Sequence, residues 1–444
     1  MKTQSEILLA FYGDDLTGST DALEFICRAG AKALLFLEPP SQEQLSKYPG
    51  LNAYGIAGLS RSLSPVAMEK ELMNAFVKMN EISTRHVHYK VCSTFDSSPE
   101  VGSIGKAIDC GAKIFQNSFV PVLGGMPALG RYCLFGNLFA KMGTTGNGKG
   151  YRIDRHPSMS RHPVTPAKES DLRLHLGSQT KKRFGLVDIT VIERSIEDWN
   201  KQIEDADEVI LLDVLTDDHL QKIGKWLDGQ YQNKPLFSVG SSGIEMALGS
   251  FWNSTGALPK ARKWPVIENA DPLLVVSGSC SPVTAAQIDF AKSAGFTEVI
   301  LEIEKIGSDG LFERSVIENV NSLLELKKDV VVHTGRKNSE NLASEILGKV
   351  LGTIAREAVE TAGVKRVVVA GGDTSSYAAR AMQIEALEMI TPLVPGAPLC
   401  RAHSQNKAMD SIEVNLKGGQ VGGEDYLLIL KTGHTSLQGN KMDV

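Results

Sequence analysis

The chain has 444 residues, 42% hydrophobic and 22% charged, with a formal net charge of −5. That length exceeds one ordinary core and predicts two domains, and the balance is that of a soluble globular chain rather than a disordered or membrane-embedded one. The charge gives no reason to expect a nucleic-acid partner. Six scattered cysteines (Cys27, Cys92, Cys110, Cys133, Cys280, Cys400) form no C-x-x-C pair, which argues against a zinc site or disulfide framework and for a reducing cytoplasm. No apolar run approaches the ~20 residues of a membrane span. The opening run Ile7-Leu-Leu-Ala-Phe-Tyr12 lacks the basic flank and cleavage site of a leader, so it reads as a first strand.

That strand enters Gly13-Asp14-Asp15-Leu16-Thr17-Gly18-Ser19-Thr20-Asp21 and then an amphipathic helix. Adjacent carboxylates at the carboxyl end of a parallel strand sit where open α/β sheets bind ligands. Capping explains one acid well and three poorly. Residues 31–37 and 53–58 read as the next strands. The second of them ends at Ser60-Arg61-Ser62, where an arginine can clamp a carboxylate or merely be solvated. A helix over 67–80 precedes His86-Val-His88-Tyr-Lys90-Val-Cys92-Ser93-Thr94-Phe95-Asp96, a strand delivering a lysine, two hydroxyls and an acid to a turn. The alternation of His86 and His88 suggests partly exposed strand positions rather than metal ligands. Residues 113–121 read as a strand leading to glycines and Gly130-Arg131. Residues 142–166 read as a long functional or interface loop, with Thr165 and Pro166 suited to start the next helix.

Three further βα units follow at 184–188, 208–213 and 235–243. The last ends in Gly240-Ser241-Ser242-Gly243, a candidate anion cradle before a helix at 244–248. Residues 253–272 have a linker's Pro, Gly and charge density. Beyond it, Ser277-Gly278-Ser279-Cys280-Ser281-Pro282 opens another strand–turn–helix. Strands at 299–303 and 329–333, a helix from about 315 and a long helix over 338–362 lead to Val367-Val-Val-Ala-Gly371-Gly372-Asp373-Thr374-Ser375. Two glycines there free backbone N–H groups at a helix start, with Thr374 or Ser375 as the cap of a helix from about 377. A strand at 389–393, a turn at 395–398 and a strand at 412–416 end in Lys417-Gly418-Gly419-Gln-Val-Gly422. The polar tail beyond 433 reads as loose.

The ordered set Tyr12-Gly-Asp-Asp-Leu-Thr-Gly-Ser19, Tyr89-Lys-Val-Cys-Ser-Thr94, His162-Pro-Val-Thr-Pro166, Val239-Gly-Ser-Ser-Gly243, Val276-Ser-Gly-Ser-Cys-Ser281, Ala370-Gly-Gly-Asp-Thr-Ser375 and Lys417-Gly-Gly-Gln-Val-Gly422 resembles the four-carbon acid sugar kinase family across nearly the whole chain. The resemblance implies two three-layer α/β domains with mostly parallel sheets and an active-site cleft between them. Residues 1–255 would bind the acid sugar, 256–272 form a linker and 273–432 bind ATP with Mg²⁺. Members phosphorylate threonate, erythronate or 3-oxotetronate, and related kinases act on the branched 3-oxo-isoapionate. One departure stands out: many members carry Asp-Ser-Thr-Leu-Arg-Gly where this chain has Cys92-Ser-Thr-Phe-Asp96-Ser. The reaction type is kept, but the usual four-carbon substrates are put in doubt.

The residues support that chemistry independently, because phosphoryl transfer asks mainly for positioning and anion stabilisation. Asp14 and Asp15 are the candidate catalytic pair, with Asp15, nearer the helix, as the expected base. Carboxylates can also hold Mg²⁺, although no ligand set is assigned. Substrate contacts are expected from Thr17, Gly18, Ser60, Arg61, Lys90, Ser93, Thr94, Arg131, Ser241, Ser242 and Gly243, with Arg61, Arg131 and Lys90 supplying positive charge. Nucleotide contacts are expected from Ser277, Ser279, Ser281, Gly371, Gly372, Asp373, Thr374, Gly418, Gly419 and Gly422. No G-x-x-x-x-G-K-[ST] identifies a P-loop, and the absence of G-x-G-x-x-G after a strand counts against a dehydrogenase. A sugar-acid sensor is the remaining rival. A small-molecule partner is expected, without nucleic acid or membrane, and a homodimer is left open.

Overall fold

The computed structural model describes residues 6–142, 148–259, 263–335 and 342–433, apart from the side chain of Asp373. The tail expected beyond 433 and the first residues of the helix expected over 338–362 fall outside them. Backbone proximity divides the chain into two compact units, Met1–Arg262 and Lys263–Val444.

The first unit contains β1 (Ile7–Gly13), β2 (Ala33–Phe36), β3 (Ala53–Ala57), β4 (Thr84–Lys90), β5 (Val120–Leu123), β6 (Arg131–Leu134), β7 (Asn137–Lys141), β8 (Gly150–Arg152), β9 (Phe184–Val187), β10 (Val209–Leu212) and β11 (Leu236–Gly240). β6, β7 and β8 make a small antiparallel sheet. The others run β2-β3-β1-β4-β11-β5-β10-β9, all neighbours parallel. Central strands are buried on both faces, which is why they read as continuous apolar runs rather than alternating ones. Gly55 in β3 makes room for a neighbour: a Cβ there would fall 2.1 Å from the Phe11 ring. β2 and β3 lie on one side of β1 and β4 on the other, so the winding reverses between β1 and β4. Ligand crevices form outside the carboxyl ends of strands at such a reversal.

The second unit contains β12 (Leu273–Ser277), β13 (Thr297–Ile300), β14 (Val330–His333), β15 (Arg366–Ala370), β16 (Ala386–Val394), β17 (Ala397–His403) and β18 (Glu413–Lys417). They run β13-β14-β12-β15-β18-β17-β16, parallel as far as β18 and antiparallel beyond it. Winding reverses again, between β12 and β15. Its core joins Leu273, Val275, Val331, Val368, Leu399, Tyr426 and Leu430. Each unit is therefore α/β with a mostly parallel sheet.

Several expected boundaries shift. Residues 113–115 end a helix, Ile104–Phe115, stopped by Gln116 in the left-handed region (φ 51°), so the strand starts only at Val120. Thr165 and Pro166 start no helix. Thr165 instead donates through its N–H to His162 Nδ1 (3.1 Å), and the next helix, Leu172–Gly177, is capped by Asp171. The helix after Gly243 runs to Thr255, into the expected linker. The helix after β15 begins at Gly372, so Thr374 and Ser375 lie in its first turn rather than capping it. β8 stands inside the expected loop and β17 starts inside the expected turn at 395–398, while β6 and β7 fill a stretch where no element was expected.

Candidate active site

β1, β3, β4 and β11 end level: Gly13 pairs with Ala57 and Lys90, and Lys90 pairs with Gly240. The residues just beyond them form one site. Asp14 and Asp15 follow directly after β1, both with an oxygen near Gly18, yet their partners differ. Asp15 is the N-cap of the helix Leu16–Arg28, accepting from the Gly18 N–H at 2.5 Å and from the Thr17 hydroxyl at 3.3 Å. Its other oxygen takes Arg61 Nη1 at 2.8 Å. Burial alone would raise this carboxyl, but Arg61 and the Gly18 N–H hold it below the usual range. The residue expected to be the base is thus a capped, ion-paired carboxylate.

Asp14 differs in every respect. It is 4% exposed, and Oδ1 has no hydrogen-bond partner among the described residues. Burial and then the adjacent Asp15 charge push its carboxyl up to about 7, against the pull of Arg61 and Lys90. Gly18 opens space beside it: a Cβ there would meet Asp15 Oδ1 at 2.7 Å, Lys90 Nζ at 3.2 Å and Asp14 Oδ1 at 3.6 Å. Lys90 is 2% exposed. Burial works to lower its ammonium, but the carboxylates of Asp21 (3.5 Å) and Asp14 raise it on balance. Asp21, in turn, accepts from the Ser242 hydroxyl.

The two arginines part company. Arg61 bridges Asp15 and Asp96, with Nη2 at 2.5 Å from Asp96 Oδ2, so two carboxylates already neutralise it. The acid that departs from the family pattern is therefore Arg61's second partner. Arg131 makes no ion pair among the described residues. Its Nη1 donates to the carbonyls of Leu129 (2.8 Å) and Lys141 (3.3 Å), and its buried Nε has no partner. Burial lowers its guanidinium while Cys92 and Asp96 nearby raise it.

Of the hydroxyls, Ser60 turns into the core against Tyr89 (2.9 Å), and Thr94 contacts Cys92 Sγ (3.0 Å). Ser93 is half-buried in the same turn. Ser241 is buried and accepts from the Gly243 N–H at 3.4 Å. Gly243 is needed because a Cβ would lie 2.4 Å from the Gly125 carbonyl. The histidines expected to be partly exposed are both buried. His86 faces Asp228, and His88 sits between Glu245 (2.6 Å) and the Gly240 carbonyl (3.1 Å).

In the second unit, Ser277 and Ala370, and Ala370 and Lys417, end level. Serine oxygens organise the first turn: Ser277 accepts from Ser279 N–H (3.3 Å), Ser279 from Ser281 N–H (3.2 Å) and Ser281 from Val283 N–H (3.2 Å). Gly371 (φ 142°) precedes the helix Gly372–Ala381, whose start has no side-chain cap, and a Cβ on Gly372 would meet nothing within 4 Å. Helix-start N–H groups with no cap among the described side chains, beside open space, are what a phosphate requires. Thr374 packs under Gly278 and Gly371. Beyond Gly418, a Cβ on Gly419 would fall 2.7 Å from Ser279 Oγ, and Gly422 (φ 89°) crosses the Tyr426 ring. The side chain of Asp373, expected to contact nucleotide, lies outside the described residues. Sequence reasoning passed over Lys417 as a site residue. Fully buried, it donates to Thr284 Oγ1 at 3.0 Å, and burial brings its ammonium down to about 8. Thr284 donates in turn to the Gly419 carbonyl (2.8 Å), fixing the glycine turn.

No described helix is long and apolar enough to cross a membrane. Residues 9–248 match a family described as a sugar-binding N-terminal domain, and residues 274–427 match one described as a nucleotide-binding C-terminal domain. A 3-oxo-isoapionate kinase from Paraburkholderia graminis is 38% identical, covering 96% of this chain and 94% of that protein. The chain belongs to the four-carbon acid sugar kinase family. Within it, a 3-oxo-tetronate kinase from Pseudomonas fluorescens is 25% identical over 94% of this chain and 95% of that one. A Salmonella typhimurium structure described as a putative tRNA synthase shares this fold, with a TM-score of 0.75 at 21% identity over 96% of this chain and 98% of that one. A Haemophilus influenzae structure does so with a TM-score of 0.70 at 18% identity, over 95% and 98%.

Proposed function

We propose that this protein transfers the γ-phosphoryl group of ATP to a hydroxyl of a small 3-oxo acid sugar, with branched 3-oxo-isoapionate as the first candidate and 3-oxo-tetronate as the second. The observation that carries this reading is Asp14: a buried carboxyl raised to about 7 whose Oδ1 has no donor among the described residues and shares the space beside Gly18 with the Lys90 ammonium. Such a group can receive a hydroxyl proton near neutrality, and the best general base titrates near the working pH. Asp15 holds the helix start and Arg61 in place. Arg131, the cation that no carboxylate among the described residues neutralises, takes the substrate carboxylate. The turns around Ser279, Gly371–Gly372 and Gly419 hold the nucleotide phosphates through backbone N–H groups.

Mg²⁺ fits this arrangement as an ion carried mainly on phosphate oxygens. No group of three or more His, Cys, Asp or Glu converges among the described residues, and Mg²⁺ commonly takes only one or two carboxylates. The ion would neutralise charge on the transferred group.

A coupled ADP assay with 3-oxo-isoapionate, 3-oxo-tetronate, threonate and erythronate tests the proposal. ADP release dependent on Mg²⁺ and on an acid sugar is expected, with the highest kcat/KM for 3-oxo-isoapionate. Binding of an acid sugar without any ADP release would favour a sensor instead.

A further inference from the structure

The phosphoryl-transfer reading uses Asp14, Asp15, Arg61, Lys90 and Arg131, and leaves one buried carboxylate of the same site unexplained. Asp96 is 9% exposed, and its Oδ2 is committed to Arg61. Its Oδ1 is buried with no donor among the described residues. A buried carboxylate oxygen in that condition forgoes charge-assisted hydrogen bonds, and natural sites rarely leave such an atom without a reason. The backbone holds it there firmly. Phe95 adopts φ 56°, a conformation uncommon for a bulky residue, and Ser97 anchors the far side by contacting His175 Nε2 at 2.9 Å.

Asp96 is also among the residues, with Thr94, Thr165, Glu169 and His175, that line a small cavity of about 10 Å³, room for a single water. The Asp96 charge acts on the Arg131 guanidinium, and Arg131 Nε is itself buried with no partner among the described residues. A donor-less acceptor and an acceptor-less donor thus occur in the same neighbourhood. A polyhydroxy acid carries groups that suit each of them, a carboxylate for the arginine and hydroxyls for the acid.

We propose that Asp96 is a specificity-determining residue whose free Oδ1 accepts a hydroxyl of the acid sugar other than the one phosphorylated. This rests on the acid sugar kinase reading and narrows its substrate class to acids bearing a second donor hydroxyl. A site built around a substrate hydroxyl rejects the analogue lacking it, because the buried acceptor is then left unpaired.

The test uses the full chain with 3-oxo-isoapionate and its analogues each lacking one hydroxyl, measured by calorimetric binding without nucleotide and by kcat/KM where turnover occurs. Wild type should lose about 10²-fold for one analogue whose missing hydroxyl is not the phosphoryl acceptor. Asp96→Ala should weaken the parent acid yet bind that analogue as wild type does, collapsing the discrimination to a few-fold. Asp96→Asn keeps an acceptor oxygen and should retain part of it, and serves in place of the alanine variant if that one melts early. The inference is overturned if Asp96→Ala weakens parent and analogues by one common factor, the signature of an acid that only holds Arg61. It is equally overturned if discrimination survives the substitution. Failure of wild type to bind any acid sugar would instead reject the kinase reading on which it stands.

Discussion

Asp14 and Asp15 are chemically identical and one residue apart, yet their surroundings suit them to opposite tasks. Asp15 meets the helix start and a guanidinium, whereas Asp14 meets burial and a neighbouring negative charge. Asp14→Asn should lower kcat by about 10²–10⁴-fold while leaving acid-sugar binding nearly unchanged. Because the raised Asp14 carboxyl costs stability once ionised, the same variant should melt no lower than wild type at pH 8. Asp15→Asn keeps a capping oxygen but loses the charge that pairs with Arg61, so it should melt lower than wild type through the weakened ion pair. Equal activity in the two variants would remove Asp14 from the mechanism. The pH profile makes a second prediction at this scale. Protonation of Asp14 below its value of about 7 removes the base, so log kcat/KM should fall with unit slope from pH 7 towards pH 5. A flat profile would mean that some other group takes the proton. The pair was visible in the sequence, but its division of labour was not. That division depends on Arg61 arriving from the loop after β3, 46 residues away.

At the scale of elements, each strand–glycine–helix unit was legible because a strand buried on both faces reads as an unbroken apolar run with a glycine stop. What escaped has a physical reason in each case. The helix Ile104–Phe115 carries two glycines, and its last residues Lys113–Phe115 run into an apolar stretch that mimics a strand. The β16–β17 hairpin turns at Pro395–Gly396, as expected, but the strand that follows, Ala397–His403, went unread beside the second proline of that turn. The buried Lys417 looked like an ordinary basic residue before a glycine turn. Its role shows only when Thr284, on another element, links it to the Gly419 carbonyl. The Gly419 turn therefore depends on an absent side chain as much as on those present. Gly419→Val would drive a β-carbon to within 2.7 Å of Ser279 Oγ and 3.0 Å of Ser281 Cβ. The variant should raise the KM for ATP at least tenfold while acid-sugar binding, measured calorimetrically, stays as in wild type. Unchanged ATP kinetics would show that the turn only supports the fold.

Considered as a whole, the chain is two cores, each wound about its own reversal point, with the acid-rich turns in one and the serine and glycine turns in the other. Residues 263–444 carry a complete hydrophobic core of their own. Expressed alone, they should fold cooperatively and bind ADP within about tenfold of the full chain. A folded fragment that ignores ADP would assign essential nucleotide contacts to the first unit. The two-part organisation was readable from length and from the Pro- and Lys-rich stretch near 260. The substrate was not, because selectivity rests on which polar atoms remain without partners after the fold closes.

Cysteine distribution has a practical consequence. Five of the six thiols are buried or half-buried, and only Cys280 is exposed, between Ser279 and Ser281 in the first turn of the nucleotide unit. A thiol-reactive dye at limiting concentration should label that single position in the native protein, with no need to engineer one. Bound ADP should slow the reaction in proportion to occupancy, turning the labelling rate into a direct readout of nucleotide affinity even for variants that no longer turn over. If saturating ADP leaves the labelling rate unchanged, the nucleotide does not sit over this turn.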